Sequence, residues 1–492
     1  MSYTQQPEKT AILADGQVFS HGEMETASRQ FAQVLLAGQA DLAETRVAFM
    51  VVPGFDYVRV QQGIWLAGGV AVPLCITYPL PSLQYVIDDT QASIIVVSPD
   101  FEAVLAPYAA RQGLRFIRLG QPAPIPGGDL PSVDPSRRAM ILYTSGTTNL
   151  PKGVVSTHAT INAQVNTLLE AWAYSPTDHQ LCVLPLHHVH GIINVVTCTL
   201  RAGGTVTFMP SFSAEGVLNW CRERAKQPGT GVFMAVPTIY FKLIAHVDTL
   251  PDESKETLLQ ALSTFRLMVS GSAALPVSVM ERWETISGHR LLERYGMTEL
   301  GMAISNPYRG ERRAGHIGQP LPGVTVRLAD EQYADAAPGE AGEILVKGAT
   351  VFSEYWQKKD ATASAFTPDG WFKTGDVAIL EQGYYRILGR SSIDIIKSGG
   401  YKLSALEIEE VLRTYPGIAD CSVVGLDNDE WGELVAAGLV VSGQSFDTDA
   451  LTTWLRSQLP AYKMPRRYKI LDELPRNAMG KVVKNDLKKL FN

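Results

Sequence analysis

The chain predicts an α/β fold: a large N-terminal region of α/β layers with a β-rich subdomain, then a small α+β C-terminal region. Three observations predict it. Short apolar, β-branched runs alternate with helix-like segments through the first half of the chain. From about Pro322 the runs become GVTVRLAD, GEILVKG and GYYRILGR, half-exposed strands joined by tight turns. After Arg390 the pattern changes again, and a segment of about 100 residues reads as a separate unit.

The buried-strand candidates are ASIIVVSP (92–99), AMILYTS (139–145), QLCVLPL (180–186), GGTVTFM (203–209), GVFMAVP (231–237) and FRLMVSG (265–271). Their lack of polar alternation suits strands covered on both faces. Helices are expected at Glu256 to Leu262 and Val277 to Thr285. In DIIKSGGYKLSALEIEEVLRTYPG, Ser404 and Glu407 have the S-x-x-E spacing of a capping box, ahead of apolar Leu406, Ile408 and Val411. CSVVGL and ELVAAGLVV follow as strands, then a second helix near Asp449 to Gln458. The expected division is 1–390, with the β-rich subdomain at about 322–390, and 391–492.

Composition narrows the function. The chain has 492 residues, 46% apolar and 19% charged, which is globular and too long for one ordinary core. A net charge of −7 argues against a general nucleic-acid binder. Pro460 to Asn492 carries nine Lys/Arg against three Asp/Glu, either a solvated face or an attraction for a polyanionic ligand. No run reaches the ~20 apolar residues of a membrane helix; Ile64 to Leu80 comes nearest and is broken by Gly68, Gly69, Pro73 and Pro79. The N-terminus has neither a signal core nor an Arg-rich presequence. Five scattered cysteines without a C-x-x-C fit a reducing cytoplasm.

Four stretches suit phosphate chemistry. YTSGTTNLPKGVV (143–155) offers backbone N–H groups, hydroxyls and one lysine to phosphate oxygens. It is not a Walker A loop, because Pro151 stands at the second glycine and Gly153 at the Ser/Thr. RYGMTEL (294–300), WFKTGD (371–376) with Gly389-Arg390, and PRNAMGK (475–481) follow. Each alone is weak; their order across the chain is specific.

This ordered set resembles the adenylate-forming superfamily of acyl-CoA synthetases, peptide-synthetase adenylation domains and beetle luciferases. Within it the chain is most similar to the malonyl-CoA synthetases, through LPLHHVHGI (184–192), SGSAALP (270–276), ISGHRLLERYGMTE (286–299), ISNPYRGERRAG (304–315) and DIIKSGGYKLSALEIE (394–409). The resemblance implies that the loop bearing Thr144, Ser145, Gly146, Thr147, Thr148 and Lys152 wraps the β- and γ-phosphates of ATP. Gly146 and Gly153 would supply flexibility. Asn149 stands where the family usually has Gly, and Asn tolerates left-handed geometry.

Adenylation turns a poor electrophile into a good one, but a carboxylate must approach an anionic phosphate. Two unit charges ~4 Å apart repel by roughly 4 kcal/mol at an effective dielectric of ~20. The resemblance assigns Lys481 to bridge carboxylate and α-phosphate, Thr298 to contact the α-phosphate, and Glu299 to help hold Mg²⁺. Asp376, with Arg390, would bind the ribose hydroxyls. Gly271, Ser272 and Ala273, with Tyr295 and Gly296, would frame adenine. For the second step the resemblance implies a mobile C-terminal domain, a hinge near Ser391 and Ser392, and a pantetheine tunnel lined by Ser398, Gly399 and Gly400.

Three histidines in HHVH (187–190) suggest zinc, but no H-E-x-x-H or spaced cysteine supports it. The resemblance puts them on the acyl-pocket wall, His190 nearest the acyl group. Arg294 beside Tyr295 suits a substrate with a second carboxylate, which a guanidinium grips as a planar fork; the alternative is a structural salt bridge. His190 and Ser305 are candidates to assist it. The expected activity is formation of malonyl-CoA from malonate, ATP and CoA through malonyl-AMP, with AMP and pyrophosphate released. The alternatives are methylmalonate or another short or medium-chain acid, a carrier-protein thiol as acceptor, or nucleotide binding without catalysis.

Overall fold

The computed structural model describes residues 6–121, 127–144, 151–391, 393–398, 401–443, 446–477 and 480–491. Two large sheets build the N-terminal region. In one, the parallel strands Leu292–Met297, Leu267–Gly271, Thr230–Ala235, Asp178–Cys182, Thr205–Phe208 and Thr10–Ala14 lie side by side. Gly301–Ser305 and Gln319–Pro320 extend it antiparallel beyond Leu292–Met297. In the other, Arg115–Arg118, Ile94–Val97, Arg46–Met50, Val70–Pro73 and Arg138–Thr144 are parallel, and Lys152–Thr157 turns back antiparallel. Ile12, Phe49, Met140, Val154, Val232, Val269 and Leu292 belong to one buried cluster, so both sheets close over a shared core. At ~25 cal/mol per Å² of apolar surface removed from water, that cluster is the main favourable term in this region.

Every expected strand and helix is present. Extents differ: the helix expected from Glu256 begins at Asp252, and QLCVLPL is a strand only to Cys182. Leu184 and Leu186 stay buried, but Pro185 cannot donate to a ladder. The β-rich segment is a four-stranded antiparallel sheet of Val324–Ala329, Gly342–Gly348, Phe372–Glu381 and Tyr384–Arg390. Asp376 and Arg390 are direct register partners in it.

The C-terminal region has its own sheet, built around Gly432–Val441, which pairs with Ile418–Asn428, Ile395–Ser398 and Arg467–Leu471, and its own core around Ile396, Leu403, Ile408, Val423, Leu439 and Leu455. Ser404 caps the helix Ala405–Arg413, its hydroxyl accepting from the Glu407 amide. The expected box is only half made. The Glu407 carboxylate pairs instead with Arg386 at 3.0 Å and Lys463 at 2.7 Å, because two cations outbid one backbone amide. Arg386–Glu407 and a hydrogen bond from the Val277 amide to Glu410 tie this region to the N-terminal one.

Candidate active site

The site forms where the parallel strand Leu292–Met297 meets its antiparallel neighbour Gly301–Ser305 and faces the strands carrying Asp376 and Arg390. Gly296 sits at a β-bulge, where a Cβ would lie 2.1 Å from the Gly301 carbonyl, so no side chain fits. Thr298, half-buried, and Glu299, buried, lie in the connecting turn.

Tyr295 and Asp376 are joined directly. The Tyr295 hydroxyl donates to Asp376 Oδ2 at 2.6 Å, and Arg390 Nε donates to Oδ1 at 2.9 Å. The Tyr295 ring is packed into the shared core. Burial alone would lower the Arg390 guanidinium, but the Asp376 carboxylate outweighs it and holds the group charged. Asp376 is thus fixed on both oxygens by neighbours, with its remaining lone pairs available.

Glu299 is buried and pairs with no cation among the described residues; Tyr355 donates to its Oε1 at 3.0 Å. Desolvation pushes its carboxyl above the ordinary range. A buried, unpaired carboxylate is what a divalent cation relieves. A carboxylate oxygen donor suits Mg²⁺, an ion that keeps water and takes phosphate oxygens beside one or two carboxylates. These residues therefore fit Mg²⁺ together with a nucleotide.

Thr144 and Lys152 are register partners at the feet of the hairpin. Ser145, Gly146, Thr147, Thr148 and Asn149 between them lie outside the described residues, as do Ser392, Gly399 and Gly400. Lys152 Nζ stands 5.1 Å above the Tyr355 ring. Gly153 serves packing rather than flexibility: it lies inside the strand, and a Cβ would meet Ile141 Cγ2 at 2.8 Å and the Tyr143 ring at 3.2 Å. Ser398 ends the strand Ile395–Ser398 and is buried.

Arg294 is 3% exposed and pairs with no carboxylate among the described residues. Its Nη2 donates to Ser272 Oγ at 3.2 Å, and Nε has no partner. Burial lowers the guanidinium to about 9, against an opposing pull from Glu293. Ser272 adopts a left-handed backbone, φ 70°, and its hydroxyl also meets His190 Nδ1 at 3.2 Å. Because Ser272 Oγ accepts from Arg294, its proton is free for His190 Nδ1, which leaves Nε2 as the protonated ring nitrogen. That Nε2, like those of His187 and His188, is buried and unpartnered. Burial, then the charge of Arg294, keeps His190 neutral. Ser305 is Arg294's register partner but lies outside this network: it accepts from Trp172 Nε1 and donates to the Asn306 carbonyl. Ala273 is exposed beside them.

Lys481 keeps solvent access, and its ammonium lies within the fields of Arg390, Arg294 and Asp376. Desolvation first, then the two guanidinium charges, pull it down to about 8. Three cations thus converge on one cleft, an arrangement that repels itself and favours a polyanion. The sequence left unmarked the left-handed bridge at Ser272, the Tyr355 link and the ties beneath Lys481. A run such as SGSAALP carries no signal for a specific backbone strain.

The AMP-binding enzyme family matches residues 2–356, and the AMP-binding enzyme C-terminal domain matches 407–481. The chain belongs to the AMP-binding enzyme family. Its relatives are acid–thiol ligases, and the chain is one of these enzymes, using ATP and CoA as substrates and Mg²⁺ as cofactor. It is 43% identical to a mitochondrial malonate–CoA ligase of Bos taurus, over 94% of this chain and 84% of that protein. It is 40% identical to a malonate–CoA ligase of Arabidopsis thaliana, over 98% and 86%. ATP-bound MatB from Rhodopseudomonas palustris superposes with a TM-score of 0.90 at 34% identity, covering 99% of this chain and 97% of that one. The expected family is therefore the observed one, with malonate–CoA ligases among its similar members.

Proposed function

We propose that the enzyme makes malonyl-CoA. The observation that carries this reading is the buried Arg294, lacking a carboxylate partner and joined through Ser272 to neutral His190. A second carboxylate on the substrate supplies the missing anion, and the His190 Nε2–H adds a donor. A hydrocarbon acid would leave the guanidinium buried and unpaired, which is costly. The malonate–CoA ligases among the relatives support the same choice.

In the first step a malonate carboxylate oxygen attacks the α-phosphorus of ATP, and the bond to the β-phosphate oxygen breaks. Malonyl-AMP and pyrophosphate result. Arg294 holds the distal carboxylate and so aims the reacting one. Lys481 offsets the charge shared by carboxylate and α-phosphate oxygens, with Thr298 contacting the phosphate. Asp376 and Arg390 hold the ribose; Gly271 to Ala273, Tyr295 and Gly296 frame adenine. Glu299 would hold Mg²⁺, which would offset the charge of the phosphates. Thr144 and Lys152, with the loop between them, cradle the outer phosphates.

In the second step the CoA sulfur, its proton released to water, attacks the malonyl carbonyl carbon, and the bond from that carbon to the phosphate oxygen breaks to free AMP. The division after Arg390, with a hinge near Ser391 and Ser392, would withdraw Lys481 and present Ser398, Gly399 and Gly400 to pantetheine. The presence of Lys481 in the cleft supports the present arrangement as the one suited to adenylation. Cytoplasmic placement belongs to this reading; it draws on the five unpaired, buried cysteines, whereas several malonate–CoA ligase relatives are mitochondrial.

The test is AMP and pyrophosphate release with Mg-ATP, CoA and, in turn, malonate, methylmalonate, succinate, acetate or octanoate, using wild type and Arg294→Ala. Malonate preference lost in the variant supports the reading. Preference for acetate or octanoate, unchanged by the substitution, overturns it.

A further inference from the structure

Lys484 lies three residues beyond Lys481 and opens the last helix, Lys484–Lys489. Its Nζ is 2.7 Å from Asp394 Oδ1 and 2.8 Å from Glu409 Oε1, and the three side chains are 10%, 18% and 5% exposed. A cation at a helix N-terminus opposes the macrodipole, and a buried ammonium is expensive to desolvate. The two carboxylates make the charge tolerable, and one of them belongs to the connection that follows Arg390.

Asp394 is the bridge. Its Oδ1 faces Lys484, while Oδ2 accepts from the Arg390 amide at 3.0 Å. Its own amide donates to the Arg390 carbonyl at 2.8 Å. Gly389 is held without a side chain by the same residue, since a Cβ there would lie 2.3 Å from Asp394 Cβ. Glu409 is anchored independently by the Val423 amide at 2.8 Å and by Ser422. The other foot of the lysine loop is held by Arg476, paired with Asp420 at 2.5 Å. Between the feet, the Asn477 side chain accepts from the Lys481 amide, and the Asn477 amide donates to the Lys481 carbonyl. The loop reaches the N-terminal region at Gly480, beside Thr238.

We propose that Lys484 is a positioning residue for the adenylation step, tying the Lys481 loop to Asp394 and hence to Arg390. It touches no reacting atom. It makes the distance from Lys481 to the ribose-binding pair Asp376–Arg390 a property of packed ions rather than of a free loop. A misplacement of ~1 Å in such a group costs roughly 100-fold in rate. The inference rests on the assignment of Lys481 to adenylation.

The experiment separates the half-reactions. Malonate-dependent ATP–pyrophosphate exchange reads adenylation; malonyl-CoA formed from synthetic malonyl adenylate and CoA reads thioester formation. Lys484→Met is expected to lower kcat for exchange by about 30- to 100-fold, with KM for ATP within about 3-fold. Thioester formation should stay within about 3-fold, which also certifies the fold. Lys484→Arg, keeping the charge, should recover exchange to within about 10-fold of wild type. Asp394→Asn, nearly isosteric, tests the same tie should the Met variant not fold. Lys481→Ala is the reference and should be selective for exchange. If Lys481→Ala is selective but Lys484→Met and Asp394→Asn lower both half-reactions equally, or neither, the positioning role is wrong. If Lys481→Ala is itself unselective, the assignment beneath it fails as well.

Discussion

Gly271 and Arg294 are register partners on adjacent parallel strands, and a Cβ on Gly271 would lie 2.7 Å from the Arg294 guanidinium carbon. The glycine makes room for the cation. Gly271→Ala should therefore push the guanidinium off its bond to Ser272. Overpacking of this kind costs ~1–3 kcal/mol, about 5- to 150-fold in an equilibrium. The expected result is a rise in KM for malonate of about 10-fold, with KM for ATP little changed. Steady-state kinetics in each substrate checks it; a rise confined to ATP would reassign the glycine to the nucleotide.

The Tyr295 hydroxyl gives a second handle. Tyr295→Phe removes the 2.6 Å bond to Asp376 and keeps the ring in the core. A hydrogen bond to a charged group contributes ~1.5–3 kcal/mol, so kcat/KM for ATP should fall by about 10- to 100-fold. Arg390 still holds the other oxygen, which keeps the fall from being larger. Equal losses for ATP and malonate would argue against a nucleotide-specific role.

The pH dependence follows from Lys481. Its pKa is lowered from 10.5 to about 8 in the free protein, by desolvation and then by Arg390 and Arg294. Adenylation needs the ammonium, so kcat/KM for ATP should fall as pH rises through about 8. Bound phosphates favour the charged form, so the corresponding limb in kcat should lie at higher pH. The folded protein binds fewer protons here than the unfolded chain between about 8 and 10.5, so this lysine's destabilising contribution is present below 8 and relieved above it. Coincident limbs in kcat and kcat/KM would separate Lys481 from the phosphates.

Gly153 distinguishes packing from loop motion. Gly153→Ala should destabilise the protein by ~1–3 kcal/mol through the contact with Ile141, seen as a lower urea midpoint. An unchanged midpoint with slower pyrophosphate release would restore the flexibility role.

Much of this was legible before folding. The strand at 265–271 and the helix after Val277 were readable because buried β-branched runs and 3.6-residue spacing are local signals. Lys481, Asp376 and Glu299 stood out because their chemistry comes with ordered neighbours in sequence. Long-range ties were not legible. Nothing in SGSAALP tells that Ser272 will turn left-handed between Arg294 and His190. Nothing in SALE tells that Glu407 will leave the cap amide for Arg386. Both outcomes depend on charges brought together by other elements, and a one-dimensional pattern carries spacing, not proximity.

All five cysteines are buried, and burial holds four of them, Cys182, Cys198, Cys221 and Cys421, as protonated thiols well above their ordinary range. The native protein therefore offers a thiol-reactive dye almost nothing to attack. In a turnover mixture the sulfhydryl that such a dye would consume is that of CoA. Loss of colour yield with time would then count thioesters directly, without a coupling enzyme and without a blank for the protein.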